Sequence, residues 1–307
     1  MSKNFRILMR SAISLAFLLL AAGFNPIAAQ NVLTGEWTAS IISEKPDKIN
    51  LTFERRADKE NRNRMGQTYD FADLQGLSRE QAAGGGAVRF SLVREAGRID
   101  CEGSFQNGKG SGTFRFTGNQ SFIAEMRNRG FDFERDSMAT GDGREIVERL
   151  FAAATLNVTT TLADDLLSAG FGKLEVGDLF KAAIFKVDSK FMREMKATGF
   201  PNLGMQELVK ARIFKIDADF VTQLTRMGFD KESFESLVRM RIFKVTPEFI
   251  TEVRNEGLSN LSAEELVKMR IFKIDGEFIR QAKAEGVPLE VEKLVKRRIG
   301  VRTRSFN

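Results

Sequence analysis

The chain contains no histidine, and among its 307 residues it has a single cysteine, Cys101. Without histidine there is no imidazole base for a Ser-His-Asp or Cys-His system and no histidine ligand for a metal. One cysteine excludes an intramolecular disulfide and a cysteine-rich zinc site. Carboxylate-only chemistry, as in glycosidases, stays open. Periodicity explains the acidic residues as helix caps, however, so we expect no enzymatic activity, no cofactor and no metal.

Charge of one sign and long apolar runs are also scarce. The 47 basic residues against 41 acidic ones leave a net charge of +6, too mild for a dedicated nucleic-acid binder. Residues 12–24 form the one long apolar stretch; at about 1.5 Å per residue it is shorter than a bilayer core of about 30 Å. With the basic residues before it and Ala29 after it, this stretch predicts a signal peptide, 1–29, cleaved before Gln30. We therefore expect an exported protein, periplasmic or extracellular, without a membrane span after cleavage.

Residues 31–118 alternate between apolar and polar side chains, as in Trp37-Thr-Ala39-Ser-Ile41. Turn signals such as Asn107-Gly108 separate the alternating segments. This pattern predicts a small antiparallel meander of five to seven strands, or a half-barrel. Cys101 falls in phase with its apolar neighbours, which favours a buried, inert thiol over a reactive one.

The second half of the chain is a tandem repeat. Ile-Phe-Lys recurs at 184, 213, 242 and 271, at intervals of 29 residues. Each unit has room for two helices of about ten residues. The expected caps of the first helix are an N-cap at Asp188, Asp217, Thr246 or Asp275 and a left-handed glycine at Gly199, Gly228, Gly257 or Gly286. The fold class is thus α+β, a β meander followed by a short α-solenoid. The expected segments are 31–118 (β-rich), 119–154 (a degenerate repeat with an insertion or linker), 155–298 (repeats) and 299–307 (a basic tail).

Three columns of the repeat are candidate functional residues. Two are candidates for partner binding, with helix-end complementation and inter-repeat packing as the structural alternatives: Lys186, Lys215, Lys244, Lys273 and Phe185, Phe214, Phe243, Phe272. The third lies within the apolar arc of a helical wheel that also contains Leu266, Val267 and Ile271: Arg212, Arg241, Arg270, Arg298. We interpret these arginines as structural clamps on carbonyls at a helix end or on a carboxylate, the alternative being a ligand-facing row.

The repeat, as in RIFKVTPEFITEVRNEGLSNLSAEELVKM, occurs here with DLQGLS and DCEGSFQNGKGSGTFRFTGNQSF. Together these segments resemble a group of uncharacterised bacterial exported proteins, and also the extracytoplasmic tails of membrane metallopeptidases related to β-lactam sensors. The resemblance covers residues 35–298. Repeats of that group commonly carry His-Gly where Phe243-Lys244 stand here, so metal binding by such histidines is excluded in this chain. The peptidase motif is absent, so the resemblance implies no proteolysis.

These observations favour a non-enzymatic binding or scaffold protein whose repeat array engages a protein, a peptide or an envelope polymer. The alternative is a ligand-sensing module of a cell-envelope signalling system, with a small pocket. The sequence leaves the partner and the oligomeric state undetermined.

Overall fold

The structure, a computed structural model, describes residues 32–56, 62–135, 144–170 and 172–300. Contacts divide the chain after Thr159 into two compact units, 1–159 and 160–307. The expected signal peptide, its cleavage site before Gln30 and the tail beyond residue 300 lie outside the described residues.

The first unit is built on a sheet. Its strands are β1 (Val32–Ile41), β2 (Lys48–Arg56), β3 (Arg62–Asp70), β4 (Leu74–Gln75), β5 (Gly86–Arg94), β6 (Gly97–Gln106) and β7 (Lys109–Gly118). They form one seven-stranded sheet in the order β3-β2-β1-β7-β6-β5-β4, with every neighbouring pair antiparallel. The predicted meander is confirmed, in its half-barrel form.

Alternation along the strands places the large apolar side chains on one face. Trp37, Phe53 and Phe116 are fully buried there, and each such side chain contributes about 1.5–3 kcal/mol when it leaves water. Gly103 makes room for this packing, because a Cβ at that position would lie 2.2 Å from the carbonyl oxygen of Ser111 and 2.7 Å from the Trp37 ring.

Three helices complete the first unit: α1 (Arg79–Gly84), α2 (Gln120–Asn128) and α3 (Arg144–Leu156). Helix α3 packs against β1, β3, β6 and β7. Its Phe151 stacks on Phe114 with ring centres 5.2 Å apart, and it meets Phe53 and Phe116 edge-on. Segment 119–154, expected to be a degenerate repeat with an insertion, thus contributes α2 and α3 to the same compact unit as the sheet.

Cys101 and Tyr69 are titratable groups buried inside the first unit. Cys101 is buried, as predicted, and burial raises the pKa of its thiol, which keeps the sulfur protonated. Burial likewise raises the pKa of Tyr69, whose hydroxyl donates a hydrogen bond to the carbonyl oxygen of Thr155 at 2.9 Å.

The second unit is a run of short helices. They are α4 (Thr160–Ser168), α5 (Val176–Phe185), α6 (Ser189–Ala197), α7 (Met205–Phe214), α8 (Ala218–Arg226), α9 (Phe234–Ile242), α10 (Pro247–Asn255), α11 (Ala263–Ile271), α12 (Gly276–Ala284) and α13 (Val291–Arg298). The predicted pair of helices per repeat is confirmed. We call α4, α6, α8, α10 and α12 the first helices and α5, α7, α9, α11 and α13 the second helices; α4 and α5 form the earlier, degenerate copy.

Both helices of a repeat begin at the residues that the sequence indicates. Oxygens of the Asp188, Asp217, Thr246 and Asp275 side chains accept a hydrogen bond from the backbone N–H three residues on, at 2.7, 2.9, 3.3 and 2.9 Å. Ser262 and Glu265 form a capping box at the start of α11. These caps satisfy N–H groups that a helix start leaves without a partner.

Packing between repeats stabilises helices that are too short to persist alone. The second helices contact one another in succession, α5 to α7, α7 to α9, α9 to α11 and α11 to α13. One leucine per unit is at most 2% exposed at these contacts: Leu179, Leu208, Leu237, Leu266 and Leu294. No helix of the described ranges has the length and apolar content needed to cross a membrane.

Candidate functional site

The arginine column joins successive repeats. In α9, Nη2 of Arg241 donates a hydrogen bond to the carbonyl oxygen of Lys215 at 2.7 Å, and the guanidinium lies 3.6 Å from the ring centre of Phe220. Partial burial lowers the pKa of Arg241, so the carbonyl and the ring replace hydration that the cation has lost. Arg212 lies 3.9 Å from a carboxylate oxygen of Asp188.

Two later arginines repeat the carbonyl contact. Nε of Arg270 donates to the carbonyl oxygen of Phe243 at 3.3 Å. Nε and Nη2 of Arg298 donate to the carbonyl oxygens of Phe272 and Lys273 at 3.0 and 2.5 Å. In each case the acceptor belongs to the end of the preceding second helix, where carbonyl groups lack intrahelical donors. These contacts use part of each guanidinium, in the way a structural clamp would. Nε of Arg212 and Nε of Arg241 are buried and have no hydrogen-bond partner among the described residues.

A second basic column is also occupied. Lys210 pairs with Glu235 at 2.6 Å, Arg239 with Glu264 at 3.4 Å, and Lys268 with Glu292. Each pair joins one second helix to the next, so the column forms a ladder of inter-repeat ion pairs. The pairs are exposed, and exposed pairs stabilise weakly, by about 0–1 kcal/mol each.

The candidate lysines occupy an unusual backbone position. Lys186, Lys215, Lys244 and Lys273 follow the second helices with φ of 57°, 54°, 56° and 53°, in the left-handed region. The residue after each lysine donates its N–H to a carbonyl five residues earlier at 2.8–3.0 Å, which is the Schellman pattern of a helix end: Val187, Ile216, Val245 and Ile274. The lysines therefore stand where glycine is the usual residue.

The first helices use glycine at the equivalent position. Gly199, Gly228, Gly257 and Gly286 have φ of 97°, 91°, 99° and 76°, as predicted. The left-handed conformation costs a residue with a Cβ roughly 1–2 kcal/mol, a cost that glycine does not have. The first helices thus end on a left-handed glycine, and α5, α7, α9 and α11 end on a left-handed lysine, although the backbone demand is the same; after α13 the left-handed residue is Gly300, with φ of 76°.

The lysine ammonium groups have no structural partner. Across residues 172–300, no hydrogen bond or ion pair involves the Nζ atoms of these four lysines, whose side chains are exposed. The neighbouring ladder, by contrast, pairs its three cations with glutamates.

An isoleucine lies two residues before each lysine and is exposed. Ile184, Ile213, Ile242 and Ile271 are 49%, 52%, 48% and 50% exposed, and Ile299 follows at 56%. The helical wheel is wrong for Ile271, which it places in the buried arc. Met269, on the other side of Leu266, is fully buried, so the buried arc is centred further from Ile271 than the wheel assumes. An exposed, regularly spaced row of large aliphatic side chains is typical of an interaction surface.

The phenylalanines of the Ile-Phe-Lys motif are intermediate in exposure. Phe185, Phe214 and Phe272 are half-buried, and Phe243 is 36% exposed. The side chains therefore match neither a fully packed column nor an open aromatic row. The most exposed apolar residue of the Ile-Phe-Lys motif is the isoleucine, which sequence reasoning did not select.

The candidate site is consequently a row of paired apolar and cationic side chains along the ends of α5, α7, α9 and α11. We call it the isoleucine–lysine row, and it comprises Ile184, Ile213, Ile242, Ile271, Lys186, Lys215, Lys244 and Lys273. A sequence signal for it exists. Only two residues separate Phe214 from the N-cap Asp217, and so short a connection between helices requires a left-handed residue.

A groove of about 630 Å³ lies elsewhere in the array, between α8 and α10. The N-terminal N–H groups of α6 and α12 donate to carboxylates of the preceding first helix, from Ser189 to Asp165 and from Gly276 to Glu252, both at 2.8 Å. The corresponding residue of α10 is Pro247, which has no N–H and lines the groove. The groove thus coincides with the point where this inter-repeat cap cannot form.

Within the described residues, no cluster of three or more cysteine or acidic side chains has the arrangement to hold a metal ion. Comparison with known protein families, curated proteins and solved structures finds no match for this chain.

Proposed function

We propose that this chain is an exported, non-enzymatic binding protein whose helical-repeat array engages a protein, a peptide or an envelope polymer through the isoleucine–lysine row. The observation that carries the proposal is the lysine at four left-handed helix ends, where backbone geometry favours glycine. A residue that lowers stability at its own position is typical of a functional site.

The contacts of the other repeated cations support the choice of this row. Arg241, Arg270 and Arg298 donate to carbonyl groups, and Lys210, Arg239 and Lys268 pair with glutamates, so these cations already have partners within the array. The lysines of the row have none within the described residues. Each lies close in sequence to a half-exposed isoleucine, so every repeat offers one apolar group and one cation to a partner.

The test is capture of envelope macromolecules by purified protein in which the row has been changed. Replacing Lys215, Lys244 and Lys273 with Gln removes three cations but keeps a Cβ at each left-handed position. The matched control replaces three cations of the ladder with Gln: Lys210, Arg239 and Lys268. Loss of a captured macromolecule with the first variant, together with its retention by the second, supports the row; equal capture by both variants refutes it.

Removing one repeat provides a second test. Deletion of 213–241 joins Arg212 to Ile242 in register and leaves Lys210 on one side and Glu264, the partner of Arg239, on the other. We expect a folded and somewhat less stable array, since stability in such arrays is roughly a sum over repeats and their interfaces. Affinity for the captured macromolecule should fall and depend less on salt, because one cation is lost. An unfolded product would contradict the modular array.

The groove beside Pro247 favours a second candidate, a ligand-sensing module. Its lining includes apolar and charged groups, among them Met227, Arg226 and Glu248. A small-molecule thermal-shift screen tests this candidate: a ligand that raises the melting temperature of the wild type but not of a Thr251→Trp variant, which fills the groove, would support sensing there.

A further inference from the structure

We infer that the isoleucine–lysine row binds an extended acidic polypeptide that presents an apolar side chain at every third position, with a carboxylate next to it. This inference rests on the proposed function and specifies the chemistry of the partner. It follows from the spacing of the row, from its two kinds of side chain and from the charges that border it.

The spacing comes from helix packing. The second helices contact one another in succession, and packed helices lie about 8–10 Å apart. A polyproline II chain has three residues per turn and rises about 3.1 Å per residue, so every third side chain returns to the same face after about 9.3 Å. In a β-strand the side chains alternate between two faces, so a residue three positions further on points to the opposite face. The polyproline II conformation therefore matches one partner triplet to each repeat.

The chemistry comes from the exposed groups. Each repeat presents the aliphatic side chain of an isoleucine and the ammonium of a lysine that no described carboxylate neutralises. The complement is an apolar group beside an anion, which a polypeptide supplies with residues such as leucine and glutamate. An acidic polysaccharide would neutralise the lysines but leave the isoleucines without apolar contacts. A polypeptide that carries both apolar and acidic side chains can contact the isoleucines and pair with the lysines at the same time.

The border of the row disfavours an anionic bilayer. Asp188, Asp217 and Asp275 are exposed two residues after a lysine, so carboxylates accompany the lysines along the chain. A continuous anionic surface brings many like charges toward these carboxylates, whereas a peptide with one carboxylate per triplet brings few.

The surroundings of the row also disfavour a helical ligand. An amphipathic helix binds by placing its apolar face in a groove. One groove of the array lies between α8 and α10, and a second lies around Gly257–Leu261; neither is lined by a member of the row. The exposed side chains of the row recur once per repeat, and an extended peptide can contact them one repeat at a time.

The experiment uses the full chain and a fluorescent peptide of four Leu-Glu-Pro triplets, which spans the four repeats of the row. Binding is measured by fluorescence anisotropy at low and at moderate salt. One control peptide has the same composition in scrambled order, and the other has lysine in place of glutamate. The remaining probes are an amphipathic acidic helix, an acidic polysaccharide and vesicles that contain phosphatidylglycerol.

We expect saturable binding of the triplet peptide and binding weaker by roughly tenfold or more for both control peptides. The variant with Gln at Lys215, Lys244 and Lys273 should bind roughly 5- to 30-fold more weakly, as three exposed ion pairs imply, and show a flatter salt dependence. The ladder variant with Gln at Lys210, Arg239 and Lys268 should bind within about twofold of the wild type.

Several results would overturn the inference. Equal binding of the ordered and scrambled peptides would show that the three-residue spacing of the partner is not recognised. Tighter binding of the helix, the polysaccharide or the vesicles, if it depends on the row, would show that the partner is not an extended peptide. If no triplet peptide binds while the row variant still loses an envelope macromolecule that the ladder variant retains, the inference fails and the proposed function stands. If neither the peptide nor envelope capture depends on the row, both fail.

Discussion

Replacing the four lysines of the row with glycine should leave the repeat unit more stable than replacing them with glutamine, while both changes weaken binding by the row. The variants are Lys186→Gly, Lys215→Gly, Lys244→Gly and Lys273→Gly. Each lysine has φ between 53° and 57°. Glycine adopts this conformation without the steric conflict that a Cβ creates.

The magnitude follows from two opposing effects. A residue with a Cβ pays roughly 1–2 kcal/mol in the left-handed region. Replacement with glycine removes this cost, but glycine loses more conformational freedom on folding, which offsets about 0.5–1 kcal/mol of the stabilisation. The backbone effect alone is therefore about 0.5–1 kcal/mol per site in favour of glycine, or about 2–4 kcal/mol for four sites on different helices.

A lysine at a helix C-terminus also interacts favourably with the helix dipole, by about 0.3–1 kcal/mol, and glycine loses this interaction. The matched control is therefore Lys→Gln at the same positions. Glutamine loses the charge but keeps the Cβ in the left-handed region, so the difference between the glycine and glutamine variants isolates the backbone effect. That difference should be about 0.5–1 kcal/mol per site in favour of glycine.

Urea melts measure the effect with two independent signals. Circular dichroism at 222 nm follows the helices, which are concentrated in 160–307. Trp37 is the chain's single tryptophan and is buried in the sheet of the first unit, so its fluorescence reports on that unit alone. The fluorescence transition should not move. If the glycine and glutamine variants unfold at the same urea concentration, the lysines do not lower stability and the main argument for the row is lost.

Three further predictions concern other parts of the chain. Arg241→Ala should destabilise the repeat unit by about 1.5–3 kcal/mol in urea melts, because a charged hydrogen bond and a ring contact are lost. Arg241→Leu should destabilise it less, since leucine keeps apolar contact. Equal, small losses of stability in the two variants would contradict the clamp. Gly103→Ala should lower the stability of the sheet unit by at least about 2 kcal/mol, since its Cβ would meet a backbone oxygen at 2.2 Å. Gly84→Ala, whose Cβ would meet nothing within 4 Å, is its neutral control, and matching tryptophan-fluorescence melts of the two variants would disprove this steric argument. Hydrogen bonds from Ser189 lower the pKa of Asp165, so the contribution of this contact is complete above the ordinary aspartate pKa of about 3.9 and is lost as the pH falls through the lowered value. Ser189→Ala should move the Asp165 pKa back toward its ordinary value in an NMR titration, and an unchanged pKa would show that the hydroxyl is not responsible.

Local signals explain why the fold could be predicted. The N-caps Asp188 and Asp275, the left-handed Gly228 and the turn at Asn107-Gly108 each depend on a few neighbouring residues, and the structure has all of them where they are expected. The interval of 29 residues then sets the number of helices. The helices of segment 119–154 carry no such local signal of where they pack. The contacts of Phe151 with the sheet join residues about 100 positions apart, as its approach to Phe53 shows.

The row itself was only half predicted, for reasons of geometry. The lysines were selected by repetition, but their backbone conformation was not, since a left-handed helix end is recognised in a sequence chiefly by glycine. Ile271 was placed in the core because a wheel centred on Leu266 and Val267 includes it. Burial of Met269 centres the real arc on the other side of Leu266, and this shift exposes the isoleucine.

The choice of residue at each repeated position distinguishes structural from functional cations within this one chain. The ladder contains Lys210, Arg239 and Lys268, so either cation serves where an exposed pair with glutamate is the only requirement. The clamp is arginine every time, because its planar fork can donate to carbonyls and stack on a ring together. The row is lysine at the ends of α5, α7, α9 and α11, at a position where the backbone favours glycine and asparagine and where arginine or glutamine would fit as well as lysine does. Geometry therefore does not explain the lysine, and neither does an internal contact among the described residues. What remains specific to lysine is a compact, mobile ammonium on a long aliphatic stem, which suits a carboxylate on a chain that lies beside the isoleucines.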